Sequence, residues 1–334
     1  MKKALLLIFC CLVNLTLTAQ KELNLEDAVL NQYRSYAPDR ITNFEWIPGG
    51  SDYSYLAENR TKIVKSNAKS KEVQDLINID EVNEILGTTF RIFYSTKWLN
   101  KNEILLSNGQ SYCTINVADK SGKKIHVLEE NASEPTYESN SMKVAYLINH
   151  NIMIRDEKSK IIPVTQNSDP NIVSGQAIAR SEFGINKGLF WSKKGKYLAF
   201  YQKDETHVHN YPLLNNEATP GALMNIKYPM AGQTSENPKV GIYNTVTQKT
   251  FFINPRGNKD DYMTNLSFTP DENYVLIAEV NRQQNHMWLN VYSARDGSFV
   301  KTLLEETNEK WVEPETPAYF PCDKENSFVW MSEK

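Results

Sequence analysis

An aromatic residue, a short polar turn and an apolar run recur along the chain. The instances are FEWIPGGSDYSYLA (44–57), STKWLNKNEILLS (95–107), PTYESNSMKVAYLI (135–148), LFWSKKGKYLAFY (189–201), LSFTPDENYVLIA (266–278) and PAYFPCDKENSFVWMS (317–332). Their leading aromatics are Trp46, Trp98, Tyr137, Trp191, Phe268 and Tyr319. In each unit the aromatic is expected to pack into a core. Residues such as Pro270-Asp271-Glu272-Asn273 or Lys193-Lys194-Gly195-Lys196 supply a hairpin turn. The apolar run that follows has the composition of a buried strand. Two more strands often follow. Leu289–Ser293, Asp296-Gly297 and Phe299–Leu304 give the clearest case, and Asn116–Asp119, Gly122 and Lys124–Leu128 give another.

Four strands per unit, at a spacing of roughly 40–50 residues, is the signature of a propeller blade. The expected fold class is therefore all-β, a β-propeller, with five complete units and the start of a sixth. A β-sandwich also spaces short strands regularly and is the competing architecture. Helix is scarce; the best candidates are Leu25–Tyr33 and Val73–Leu86, the second reading equally well as an excursion between blades. Two inserts break the rhythm: Gln176–Lys187 between the third and fourth anchors, and Thr206–Val240 inside the fourth unit. In a repeat protein such inserts are expected as loops at one face, where function concentrates.

The first residues read differently. Lys2 and Lys3 precede an apolar run from Ala4 to Val13, and a polar stretch ends at Ala19-Gln20. That order fits a secretory signal peptide over residues 1–19, with an uncleaved anchor as the alternative, and the run is too short to span a bilayer. Export to the periplasm or medium is the expectation. The formal charge is −3, and loss of Lys2 and Lys3 makes it two units more negative. So mild an acidity argues against a nucleic-acid or anionic-membrane surface. Beyond the leader only Cys113 and Cys322 remain, far apart and at no metal-binding spacing. A disulfide or two free thiols are both open. No later stretch is apolar enough to cross a membrane.

Several stretches resemble the propeller of dipeptidyl peptidase IV-type serine exopeptidases of the prolyl oligopeptidase superfamily. They are Gly175-Gln176-Ala177, Arg180-Ser181-Glu182-Phe183-Gly184-Ile185, Phe190-Trp191-Ser192 through Tyr201, Tyr228-Pro229-Met230-Ala231-Gly232, and Asn265 through Asn285. Phe328–Glu333 resembles the start of a further family motif. The resemblance spans nearly all of the chain after the leader and is nearest to bacterial prolyl tripeptidyl peptidases. It implies an eight-bladed propeller, here five and a half blades in residues 20–334. The α/β-hydrolase domain with its Ser-Asp-His triad is expected to be absent. It further implies removal of short proline-terminated peptides from free N-termini, with no cofactor and a possible homodimer.

A free α-amino group is a cation with three donors, and a fixed carboxylate binds it through charge-assisted hydrogen bonds. Held at a set distance from a nucleophile, that carboxylate acts as a ruler for substrate length. Dipeptidyl members of the family use two adjacent glutamates, and the matching positions here read Ser181-Glu182. The resemblance thus assigns substrate binding to Glu182, flanked by Ser181 and Arg180, and fits tripeptidyl relatives better than dipeptidyl ones. Dipeptidyl members also carry an arginine on another loop, whereas Asn108-Gly109-Gln110-Ser111-Tyr112 has none. Without the resemblance, Glu182 reads as an ordinary loop carboxylate paired with Arg180 or solvent.

No Gly-x-Ser-x-Gly nucleophile pentapeptide occurs in the chain, and no βαβ alternation is visible near its C-terminus. No catalytic residue is therefore expected. A non-catalytic binding propeller, either a pseudo-enzyme or one subunit of a split enzyme, is the alternative. His207 and His209, beside Asp204 and Glu205, would share a face on a strand and could seat a metal, but a solvated loop is the default reading. Asp260-Asp261, Glu305-Glu306 and Glu129-Glu130 read as turn charges.

Overall fold

The computed structural model describes residues 22–38, 40–322 and 327–332, with only the backbone of Arg180 and Ser181. The leader over residues 1–19 lies outside the described residues.

Among the described residues, five antiparallel sheets of four or five strands follow one another, each with its strands in chain order from one edge to the other. The first holds Thr42–Trp46, Asp52–Ala57, Lys62–Asn67 and Val73–Asn78. The second holds Ser95–Trp98, Glu103–Asn108, Ser111–Asn116 and Ser121–Val127. The third holds Ala132–Glu138, Lys143–Ile148, Asn151–Arg155 and Ile161–Pro163. In the fourth, Ile172–Ser174 and Leu189–Trp191 both pair with Tyr197–Asp204, followed by Asn237–Asn244 and Lys249–Phe252. The fifth holds Tyr262–Phe268, Tyr274–Val280, His286–Ser293 and Phe299–Thr307. A single bridge between Tyr319 and Val329 opens the next pairing.

Strand alternation decides how the sheets stack. On the second strand of the second sheet, Leu106 joins a core with Leu56 and Ile63 of the first sheet, while its neighbour Leu105 joins Val144 and Tyr146 of the third. Ala145 and Leu147 face the other way, toward Leu198 and Phe200 of the fourth sheet. Ala199 and Tyr201 then meet Leu276 and Ala278 of the fifth. The middle sheets are thus buried on both faces, which is why their second strands are continuously apolar. A two-sheet sandwich buries one face per sheet, so this stacking excludes it. Each fully buried large side chain adds about 1.5–3 kcal/mol.

Two of the recurrent aromatics also bond to the preceding sheet. Trp98 Nε1 donates to Ser54 Oγ at 2.7 Å, and Trp191 Nε1 donates to the Thr136 carbonyl at 2.9 Å. Trp46 and Tyr319 depart from the expected pattern. Both are exposed, Trp46 on the outward face of the first sheet with Phe44, Tyr53 and Tyr55.

The expected helix at Val73–Leu86 divides. Val73–Asn78 is the outer strand of the first sheet, and only Ile79–Leu86 is helical. Asn78 caps that helix reciprocally with Glu81, and Gly87 ends it at φ +60°. Its buried Ile79, Val82 and Leu86 cover the first and second sheets. Leu25–Tyr33 resolves into a short helix, Leu25–Val29, and a 3-10 turn, Asn31–Tyr33. Ala118 and Asp119 form a turn on the Asn116 side chain instead of continuing a strand. Cys113 and Cys322 are free thiols, and burial pushes the Cys113 thiol up.

Candidate functional site

The first strand of the fourth sheet is split in two. Ser174 pairs with Gln202 and Leu189 pairs with Phe200, leaving Tyr201 between them. Gly175 N–H donates to the Tyr201 carbonyl at 2.7 Å, and Tyr201 N–H donates to the Gly188 carbonyl at 3.0 Å. Residues 176–187 therefore leave and return at a single ladder step. Both ends of this neck need glycine. Gly175 has φ +85°, and a Cβ there would lie 2.4 Å from Leu147 Cδ2, while a Cβ on Gly188 would lie 2.3 Å from the Gln176 carbonyl oxygen.

The first strands of the first and second, third and fourth, and fourth and fifth sheets touch one another, as the innermost strands around a propeller axis do. The excursion emerges from one of them. Lying between the third and fourth anchors as expected, it interrupts the first strand of the fourth unit.

The excursion is packed at several points. Ile178, Phe183 and Ile185 are buried in one cluster with Met263, Leu266 and Val312. The Phe183 ring lies 5.0 Å from that of Tyr262. Gly184 lies against the Glu315 backbone so closely that a Cβ would fall 2.0 Å from its oxygen. Ala179–Gly184 forms a 3-10 turn, closed by Ile185 N–H donating to the Glu182 carbonyl at 3.1 Å. Ala179 and Phe183 both adopt positive φ, at +52° and +56°, a strain of about 1–3 kcal/mol each that the surrounding contacts must offset.

Glu182 stands exposed on this turn. Arg180 and Ser181 share its backbone, and their side chains lie outside the described residues. The turn stands between two cavities. One, of about 310 Å³, is lined by Gly184 to Lys187, Phe190, Tyr201, Asn265, Leu266, Glu315 and Pro317. The other, of about 420 Å³, includes Ala179, His207, residues 233–238, residues 259–262 and Arg282. Lys187 Nζ sits 5.2 Å from the centre of the Phe190 ring. Desolvation by the surrounding protein holds that ammonium below the ordinary lysine range.

A cluster that the sequence did not single out lies behind the turn. Lys203 Nζ is 2.8 Å from Glu205 Oε1 and 3.6 Å from Glu236 Oε2. The three side chains are only 9%, 11% and 12% exposed, respectively. Ala179 N–H donates to Glu236 Oε1 at 3.1 Å. Nothing in local spacing marks Glu236, because it is brought to Ala179 across the whole second insert. That insert is an antiparallel hairpin, Asn210–Asn215 with Ala222–Lys227, followed by a return to the fourth sheet at Asn237.

Other candidates separate from the site. His207 and His209 are exposed on a turn ahead of the hairpin, with buried Val208 between them. No group of three metal-ligating side chains occurs among the described residues. Gln110, in the Asn108–Tyr112 stretch, donates to the Glu130 carbonyl at 3.2 Å. The paired acids are not simple turn charges. Glu305 and Glu306 lie on the outer strand of the fifth sheet, Asp261 is buried, and Glu129 pairs with Arg155 at 2.8 Å. No helix among the described residues is long and apolar enough to cross a membrane.

The family model for the dipeptidyl peptidase IV (DPP IV) N-terminal region matches residues 91–334. The chain belongs to this family. A DPP IV-type protein of Bacteroides ovatus has a solved structure that superposes with a TM-score of 0.75 at 32% identity, covering 88% of this chain and 41% of that one. Porphyromonas gingivalis dipeptidyl peptidase 4 superposes with a TM-score of 0.76 at 21% identity, covering 95% and 46%. A dipeptidyl-aminopeptidase B sequence from Arthroderma otae is 28% identical over 203 residues, which is 54% of this chain and 22% of the relative. The chain thus spans about a quarter or less of that curated relative and under half of the solved ones. The stacked sheets are a DPP IV-type N-terminal β-propeller region.

Proposed function

We propose that this DPP IV-type propeller region serves an exported serine exopeptidase. That enzyme would remove proline-terminated tripeptides or dipeptides from free peptide N-termini, and Glu182 would bind the substrate α-amino group. The observation that supports this reading is the exposed carboxylate of Glu182 on an excursion from an axis-lining strand, packed on both flanks by neighbouring elements. A carboxylate on a mobile loop could attract an amine but could not measure distance. One on a packed turn can do both. A single glutamate at this position favours the tripeptidyl specificity over the dipeptidyl one.

The test is peptide binding by the purified chain. Ala-Ala-Pro peptides with a free N-terminus should bind more tightly than their N-acetylated counterparts. Glu182→Gln should remove that preference, since it deletes the charge while keeping the shape. Equal binding of free and acetylated peptides by the unaltered chain would refute the assignment.

A further inference from the structure

Lys203, Glu205 and Glu236 meet where three segments converge. Glu205 directly follows the second strand of the fourth sheet and is the outgoing foot of the hairpin insert. Glu236 directly precedes the next strand and is the returning foot. One buried ammonium faces both feet, and the second carboxylate oxygen of Glu236 reaches the backbone of the Glu182 turn.

A buried carboxylate is costly unless its oxygens are satisfied. Here Lys203 faces one oxygen of Glu236, and Ala179 N–H bonds to the other. Ala179 is also the residue at which the turn enters positive φ. A non-glycine residue keeps that conformation only where its surroundings over-determine it. The Glu236 contact acts at the strained residue, three positions before Glu182.

We infer that Glu236 is a positioning residue for the Glu182 turn, strapping it to the foot of the hairpin through Ala179 N–H. This rests on the Glu182 reading for its functional meaning, while the strap itself is a structural claim of its own. Glu236 does not touch the peptide; it fixes where the amine-binding carboxylate stands.

The experiment compares Glu236→Ala, Glu236→Gln and Glu236→Asp in the full chain. Gln keeps an acceptor oxygen at full reach, Asp keeps the charge but falls one methylene short, and Ala keeps neither. Lys203 retains Glu205 in all three, so the buried cation stays paired. Amide hydrogen exchange over residues 179–185 should speed up about tenfold in the Ala and Asp variants and stay near the unaltered rate in Gln. The preference for free over acetylated peptide should fall about fivefold in Ala and Asp and survive in Gln, because a displaced carboxylate loses aim before it loses charge. Unchanged exchange in both Ala and Asp, or a Gln variant that behaves like Ala, would overturn the strap. Should Ala fail to fold, Asp carries the same comparison. Glu182→Gln separates the two claims: it should abolish the preference while leaving exchange over 179–185 unchanged. If the unaltered chain shows no preference at all, the amine-binding reading fails, and the exchange data still decide the strap.

Discussion

Ser192 Oγ donates to Glu272 Oε1 at 2.5 Å across the seam between the fourth and fifth sheets, and both residues are buried. The same carboxylate oxygen receives Lys194 N–H at 2.8 Å, and Ser192 Oγ accepts Tyr197 N–H at 2.9 Å. One turn of a sheet is thereby tied to the turn of the next. The preceding seam has its own tie, from Asn140 Nδ2 to the Lys193 carbonyl at 2.6 Å. Apolar layers hold the sheets face to face but leave their relative rotation soft. Directional bonds at the turns fix it. Ser192→Ala should lower the unfolding free energy by about 1.5–3 kcal/mol, the range for a hydrogen bond to a charged group. Urea denaturation checks this, with a reduced midpoint and an unchanged slope.

The indole bond between Trp98 and Ser54 can be isolated by a double-mutant cycle. Trp98→Phe and Ser54→Ala should each destabilise the chain, and the double variant should lose less than the sum. A coupling of about 1 kcal/mol is expected for one neutral buried hydrogen bond. Strict additivity in thermal melts would show that the indole serves by packing alone.

His126 gives the fold an acid-sensitive joint. It is buried, and its Nε2–H donates at 2.8 Å to the carbonyl of Met142, on the turn leading into the strand Lys143–Ile148, which fixes the tautomer. Its Nδ1 lies 3.2 Å from Ser159 Oγ. Desolvation lowers its pKa from the ordinary histidine value despite the opposing pull of the Met142 bond. The unfolded chain therefore takes up a proton first. Stability from this residue is present above about pH 6.5 and drains away as pH falls below it. Melting temperature should drop between pH 7 and pH 5 in the unaltered chain, and His126→Gln should flatten that slope.

Gly188→Ala tests the neck of the excursion. The added methyl would meet the Gln176 carbonyl, a backbone atom that cannot rotate away. A cost of about 1–3 kcal/mol is expected from overpacking. The free-over-acetylated preference should fall with it, whereas Gly50→Ala, whose Cβ would meet only Asp52 N at 3.9 Å, should leave that preference intact.

The purified chain should release neither Gly-Pro nor Ala-Ala-Pro from chromogenic peptides. Its 334 residues contain no Gly-x-Ser-x-Gly elbow. Turnover that co-purifies with the chain and is lost on Glu182→Gln would refute this.

Much of the fold was legible because blade formation is local. Each hairpin is short, its turn residues are explicit, and its second strand is apolar throughout, so sequence position alone places Leu198–Tyr201 or Val275–Val280. What failed was fixed by distant contacts. Val73–Asn78 reads as the start of a helix until Lys62–Asn67 supplies a ladder beside it. Trp46 matches Trp98 in pattern, yet Trp98 is buried and bonds Ser54 of the first sheet while Trp46 stands exposed. At the site, Glu182 was visible through family likeness, whereas its support was not. Ala179 and Glu236 are far apart in sequence, and a single backbone hydrogen bond between them leaves no periodic trace.

The split strand has one more consequence. Because Ser174 and Leu189 resume pairing on either side of Tyr201, the sheet closes its ladder as though residues 176–187 were absent. The detour is a cartridge in a fixed socket. Its exposed positions, Glu182 among them, can change without disturbing the ladder, whereas Ile178, Phe183 and Ile185 are tied to the core it stands on.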